Sequence, residues 1–298
     1  MSEAGSTVSG MRYGFIGSYG SPQQQVRLAR ECEDSGWDGF FTWDGMSLDA
    51  GEFDAGPTWD PFALLGSIAS VTERITLGAM VFAVPRRRPW EFAQQALTVD
   101  HLSGGRLVLP VGVGVPIDRA FTSVPEQREP LRERARLLDE HLAWLERSWS
   151  TDTFEFRGEF VRTGEFQFPQ APVNGHIPVW PVGVWDAERP PRRSLDRALR
   201  WDGIVPQVRG GSSPEDAEPT PADIAALGEW VDAHRDGSWG PFDIVFQGRL
   251  DTDPGVAADQ ARAAADAGAT WWIESWWDPA TVTPERLLER AKQGPPKV

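Results

Sequence analysis

Few residues in this chain are equipped for chemistry, and they fall in short clusters. Trp43-Asp44-Gly45, Met80-Val81, Gly112-Val113-Gly114, Gly183-Val184-Trp185 and Glu274-Ser275-Trp276-Trp277 each stand at the end of an apolar run. Asp44 and Glu274 are the carboxylates among them able to move a proton. The indoles suit a planar heteroaromatic ligand, because a flat ring stacks, excludes water and presents a single N–H donor. Gly112, Gly114 and Gly183 allow close backbone approach, and free N–H groups beside them suit a phosphate. A site rich in aromatics and poor in acid, base and metal groups implies that a cofactor carries the reaction. The run Arg86-Arg87-Arg88 reads either as a solvated basic turn, as a clamp for an anionic cofactor tail, or as an anchor with acidic neighbours.

Several chemistries are set aside by pattern. The chain has no HExxH, CxxC or Walker motif, and its four histidines, His101, His141, His176 and His234, lack metal-ligand spacing, so no metal site is expected. There is no GxSxG elbow for a hydrolase nucleophile. The single Cys32 excludes an internal disulfide and reads as a packed thiol in a helix. A net charge of −15 argues against nucleic acid as a partner and disfavours an anionic membrane surface. No apolar run approaches the ~18 residues of a membrane span. The first ten residues lack a signal-peptide pattern, and a cytoplasmic location is expected.

The elements that must position these clusters repeat. Apolar, β-rich runs recur at Tyr13–Gly17, Gly39–Trp43, Ile75–Ala83, Leu107–Val113, Ile177–Gly183, Gly203–Val205, Asp243–Gln247 and Thr270–Ser275. Helical patterns follow them at Pro22–Ser35, Pro61–Thr72, Trp90–Leu102, Glu129–Trp149, Ser194–Trp201, Pro221–His234, Val256–Ala267 and Thr283–Gln293. Proline at several helix starts is the expected asymmetry of helix ends. Strands joined by helices run parallel. Eight such units point to a (β/α)8 TIM barrel with loop insertions, an α/β fold in one domain over residues 1–298, with an open doubly wound sheet as the alternative. In a barrel the clusters above become neighbours, since all lie at strand C-termini. A hairpin is predicted in Thr153–Val173, where Phe alternates with polar residues, and Gln207–Pro221 reads as a lid or a plain loop.

One stretch carries a resemblance that covers nearly the whole chain in order. Leu97-Thr98-Val99-Asp100-His101-Leu102-Ser103-Gly104-Gly105-Arg106 running into Gly112-Val113-Gly114 is its strongest piece; Trp37-Asp38-Gly39, Arg74-Ile75-Thr76-Leu77-Gly78, Pro178-Val179-Trp180, Arg200-Trp201-Asp202-Gly203 and Gly268-Ala269-Thr270-Trp271-Trp272 extend it. The chain resembles the bacterial luciferase-like flavin-dependent monooxygenases and their coenzyme F-420-dependent relatives. The resemblance implies a (β/α)8 barrel holding reduced flavin mononucleotide (FMN) or coenzyme F-420 at the strand C-termini. It implies a non-proline cis peptide at Met80-Val81 behind the cofactor ring, with Trp43, Met80, Val81, Gly112 and Gly114 near the cofactor. Gly183 and Val184, with Arg106 from the fourth strand, would approach its phosphate. A separate reductase supplying the reduced cofactor, a homodimer and a small-molecule substrate are expected in the same way.

The chain departs from the family at two positions. Many relatives carry Asp-His at the end of strand two, whereas Asp44 is followed by Gly45; and Val115-Pro116 stands where dehydrogenase members tend to have Glu. The usual proton-handling pair is missing, which leaves Asp44 and Glu274 as the ionisable candidates. The leading expectation is oxidation of a small organic substrate with reduced flavin and O2. Hydride transfer with coenzyme F-420 and a non-catalytic flavin-binding protein are the alternatives, and a barrel lyase or hydrolase is a more distant one.

Overall fold

The computed structural model describes residues 10–48, 56–127, 130–188, 190, 192–208, 218–236 and 240–297. Most of the Gln207–Pro221 segment, and residues 49–55 of the loop after the second strand, lie outside them. The main sheet contains β1 (Arg12–Ile16), β2 (Gly39–Thr42), β3 (Thr76–Ala79), β4 (Phe82–Ala83) and β5 (Leu109–Gly112). After the antiparallel hairpin β6 (Phe154–Arg157) and β7 (Arg162–Phe166), it resumes with β8 (Val179–Trp185), β9 (Gly203–Val208), β10 (Asp243–Gly248) and β11 (Trp271–Glu274).

In the order β3-β2-β1-β11-β10-β9-β8-β5-β4, neighbouring strands pair in parallel. β3 runs on through Met80-Val81 into β4, and a parallel bridge from Leu77 to Leu107 closes the ring. Closure decides for the barrel over the open sheet. The eight expected strands are all present, the third interrupted at Met80-Val81.

The helices are α1 (Pro22–Asp34), α2 (Pro61–Ala69), α3 (Pro89–Ser103), α4 (Leu131–Ser148), α5 (Arg192–Ala198), α6 (Pro221–His234), α7 (Pro254–Asp266) and α8 (Pro284–Lys292). Their starts are set chemically. Ser21 and Gln24 form a capping box before α1, Thr220 and Asp223 one before α6, and Asp60, Asp253 and Thr283 cap α2, α7 and α8. α3 ends on Gly104 in the left-handed region, which returns the chain towards β5. Among the described residues no helix is long and apolar enough to cross a membrane.

Two layers of core follow from the period-two alternation of the strands. Inside the barrel pack Ile16, Phe41, Met80, Val108, Trp180, Val205, Val245, Trp271 and Ile273. Phe41 fits because Gly14, Gly39 and Gly78 bear no side chain: a Cβ on any of them would come within 2.6–3.1 Å of Phe41 or a neighbouring residue. Trp271 meets Phe41 edge to face at 6.0 Å and Trp180 at 5.5 Å, and Arg12 covers it from the strand N-terminal side at 4.3 Å. The out-of-phase residues, Phe15, Phe40, Leu77 and Leu109 among them, face the helices.

Candidate functional site

The strand C-termini form a mouth whose wall is aromatic and apolar. Val81, Val182 and Trp277, half-buried, rest on the interior core. The Met80-Val81 peptide is cis, as the resemblance implied. Gly112 lies on the neighbouring strand: a Cβ there would sit 2.9 Å from Val81 Cγ2, so the bare backbone leaves room for that side chain. Gly114 adopts φ 75°, and its missing side chain makes room for Phe121, whose ring would lie 2.1 Å from a Cβ.

Trp43 explains the departure at position 45. Its indole Nε1–H donates to the Ser18 carbonyl at 2.7 Å, and its ring meets Trp277 edge to face at 6.2 Å. So held, the ring lies over Gly45, where a Cβ would be 2.2 Å from Trp43 Cζ3. The space that a side chain at position 45 would enter is filled by indole. Ser18 Oγ donates to the Trp276 carbonyl and the Tyr19 hydroxyl to the Trp277 carbonyl, joining the loops after β1 and β11. Burial, with the charge of Asp278, pushes the Tyr19 phenol up to about 12, so it remains a neutral donor.

The two candidate carboxylates are engaged elsewhere. Asp44 accepts from Ala83 N at 2.9 Å, from Arg86 Nη2, and from Arg87 Nη2 at 2.9 Å. Arg86 also donates to the Asp44 carbonyl at 3.0 Å and, through Nη1, to Asp118 Oδ2 at 2.7 Å. Asp118 in turn accepts the backbone N–H groups of Met46, Ser47 and Ala120 at 3.0–3.1 Å. The side chains of Asp44, Arg86 and Asp118 are 1 %, 4 % and 2 % exposed. This is an ion cluster clipping together the loops after β2, β4 and β5. Of the readings of the triple arginine, the anchor with acidic neighbours describes Arg86 and Arg87, while Arg88 is exposed beside Glu91.

Glu274 follows the inward Ile273 and so faces outward. It accepts from Trp276 Nε1 at 2.6 Å, Leu250 N at 3.1 Å and Trp272 Nε1 at 3.4 Å, with Arg290 Nε of α8 at 3.3 Å. Burial raises its pKa, against the lowering pull of Arg290 and the hydrogen bonds. It belongs to the layer between barrel and α8. Arg106 requires a plain correction: it precedes β5, at the opposite end of the barrel from the mouth. Its guanidinium donates to the carbonyls of Ser103, Ala69, Thr72 and Ile75 and to Thr72 Oγ1 at 2.7–3.3 Å, so it ties down the end of α2 instead of approaching a ligand. The tryptophans also divide. Trp43 and Trp277 reach the mouth, whereas Trp185, Trp272 and Trp276 are buried in the outer layer.

At the end of β8, Gly183 leaves room for Ile204 and Leu195 on the outer side, and Val184 N donates to Ser194 Oγ at 3.2 Å. Sequence reasoning missed Asp118. Its one trace was the Arg86-Arg87-Arg88 run, read as an anchor with acidic neighbours.

The lining fits a flat, uncharged ring better than a metal or a nucleophile: a bare glycine beside Val81 and two indoles at the side. Comparisons with known proteins bear on the fold and the family. A coenzyme F-420-dependent glucose-6-phosphate dehydrogenase of Nakamurella multipartita is 29 % identical over 182 residues, covering 57 % of this chain and 50 % of that protein. The coenzyme F-420-dependent tetrahydromethanopterin reductase of Methanopyrus kandleri superposes with a TM-score of 0.73 at 15 % identity, covering 96 % and 99 % of the two chains. The oxygenating constituent of 3,6-diketocamphane monooxygenase from Pseudomonas putida, in complex with FMN, gives 0.68 at 14 % identity, covering 97 % and 99 %. These two structures speak for the fold alone. The family model for luciferase-like monooxygenases matches residues 4–187, and the chain belongs to that oxidoreductase family.

Proposed function

We propose that the protein oxidises a small organic substrate with molecular oxygen, using reduced FMN held across the strand C-termini. The observation that carries the reading is the mouth: Gly112 leaves its backbone bare beside Val81, and Trp43 and Trp277 wall it without an ionisable side chain of their own. The cofactor, when bound, supplies the redox chemistry. Met80 and Val81 back its ring, Gly112 and Gly114 allow the backbone to approach, and Gly183 and Val184 stand on its phosphate side. Trp43 and Trp277 exclude water from the reacting face. Asp44 holds the loop that carries Val81, through Ala83 N and the two arginines, and is a positioning residue in this scheme. The reduced cofactor would come from a separate reductase.

A second reading, hydride transfer with coenzyme F-420, draws on the name of the Nakamurella relative. Anaerobic titration of the purified protein with reduced FMN and with reduced F-420, followed by absorbance and fluorescence, separates the two. Binding of FMN with O2-dependent turnover supports the first reading; selective binding of F-420 replaces it with the second; binding of neither removes both.

A further inference from the structure

The side of the mouth formed by the loops after β2 and β5 has a chemical character of its own. Its cations are engaged. Arg86 lies between Asp44 and Asp118, Arg87 bonds Asp44 at 2.9 Å with Asp60 at 3.5 Å, and Arg119 is engaged as well. Among the described residues its exposed large side chains include the apolar Met46, 57 % exposed, Val115, 47 %, and Ile117, 42 %, beside the exposed Ser47 and the engaged Arg119. These residues are brought together by Asp118, which holds the N–H groups of Met46 and Ser47, and by Arg119 N donating to the Ser47 carbonyl at 2.7 Å. The Trp43 indole fills the space that a side chain at position 45, next to Met46 in the chain, would take. Exposed apolar side chains grouped at the entrance of a site mark what enters it. A phosphate or carboxylate entering here would lose water and, among the described residues, would meet Arg86, Arg87 and Arg119 already engaged.

We propose that this part of the mouth selects an uncharged, largely apolar substrate, with Trp43, Met46, Val115 and Ile117 as its specificity-determining residues, and that it discriminates against phosphorylated or carboxylated compounds. The proposal rests on the reading of the mouth as the cofactor and substrate site. It separates this chain from its Nakamurella relative, whose name specifies a sugar phosphate. Met46, Val115 and Ile117 supply the apolar contact and Trp43 the flat wall, so affinity grows with the apolar area of the ligand.

The test is a binding series on the full chain, read by tryptophan fluorescence and by competition calorimetry, with 2-hexanol, 2-octanol, 2-decanol, decanoate and glucose 6-phosphate as probes. The expected result is a gain of about fourfold in affinity per buried methylene along the alcohols. Decanoate should bind at least tenfold more weakly than 2-decanol, and glucose 6-phosphate should not bind measurably. Ile117→Asp and Val115→Asp, both at exposed positions, should each weaken 2-decanol about tenfold while the melting temperature stays within about two degrees. Trp43→Ala should flatten the series. Tighter binding of decanoate or glucose 6-phosphate than of 2-decanol would overturn the proposal, as would an affinity independent of chain length or indifferent to the Asp variants. Failure of the cofactor reading shows separately, as no spectral response to reduced FMN or F-420, because the alcohol series is read without cofactor.

Discussion

Arg86→Met is the most direct probe of how the mouth is held. The guanidinium is 4 % exposed, and its removal deprives two buried carboxylates of a partner, at Asp44 and at Asp118 Oδ2. Asp44 keeps Arg87 and the Ala83 N–H, and Asp118 keeps three backbone N–H groups, so neither charge is left bare. Breaking a buried pair from one side costs about 3–5 kcal/mol, and the retained bonds favour the lower end. At roughly 2–4 °C per kcal/mol for a domain of this size class, the melting temperature should fall by on the order of 10 °C. Calorimetry or circular dichroism measures it. Adding Asp118→Asn should recover part of the loss, because the second change removes the charge that the first stranded. A fall below about 1 kcal/mol, or two changes that add within ~0.5 kcal/mol, would refute the cluster as the clip between the loops.

Three other outcomes follow from the geometry. Burial pushes the His141 imidazole down to about 4 from 6.5, so between those values the unfolded chain binds a proton that the folded one does not. The stability is fully present above pH 6.5 and is lost as pH falls towards 4, by about 3 kcal/mol; His141→Leu should remove that slope from urea midpoints measured across the window. Gly45→His should displace the Trp43 indole, seen as a shift in tryptophan emission and a drop in stability of about 1–3 kcal/mol, and combining it with Trp43→Ala should restore much of the loss. An unchanged emission spectrum in Gly45→His would contradict the placement of that ring. Arg106→Met should cost about 2–4 kcal/mol through the carbonyls it leaves unpaired, with cofactor binding unaltered at temperatures where the chain stays folded. A selective loss of cofactor affinity would return Arg106 to the ligand.

The architecture was legible because strand and helix periods repeat so regularly: eight apolar runs and Pro-started helices left one closed arrangement and one open rival, and closure needed only the Leu77 to Leu107 bridge. Local backbone geometry was legible where the residue's backbone was the message, as at Gly112, Gly114 and Met80-Val81. It was illegible where direction mattered. Glu274 and Ile273 are consecutive, and a single step of the strand alternation puts one on α8 and the other in the barrel. Arg106 sits near the fourth strand's start, and proximity in sequence to Gly112 says nothing about which end of the barrel it serves. Asp118 is remote from Asp44 and Arg86 in sequence, so their shared burial arises only once three loops meet.

The grip of Asp118 falls on the main chain of residues 46 and 47, and Arg119 N likewise takes a main-chain oxygen. The shape of that entrance therefore does not depend on which side chains stand at 46, 115 or 117. These positions can be exchanged together as a set, by drift or in a mutant library, without redrawing the loops that carry them. On the proposed reading of the mouth, a barrel so built can acquire new substrates by changing its lining while keeping its frame.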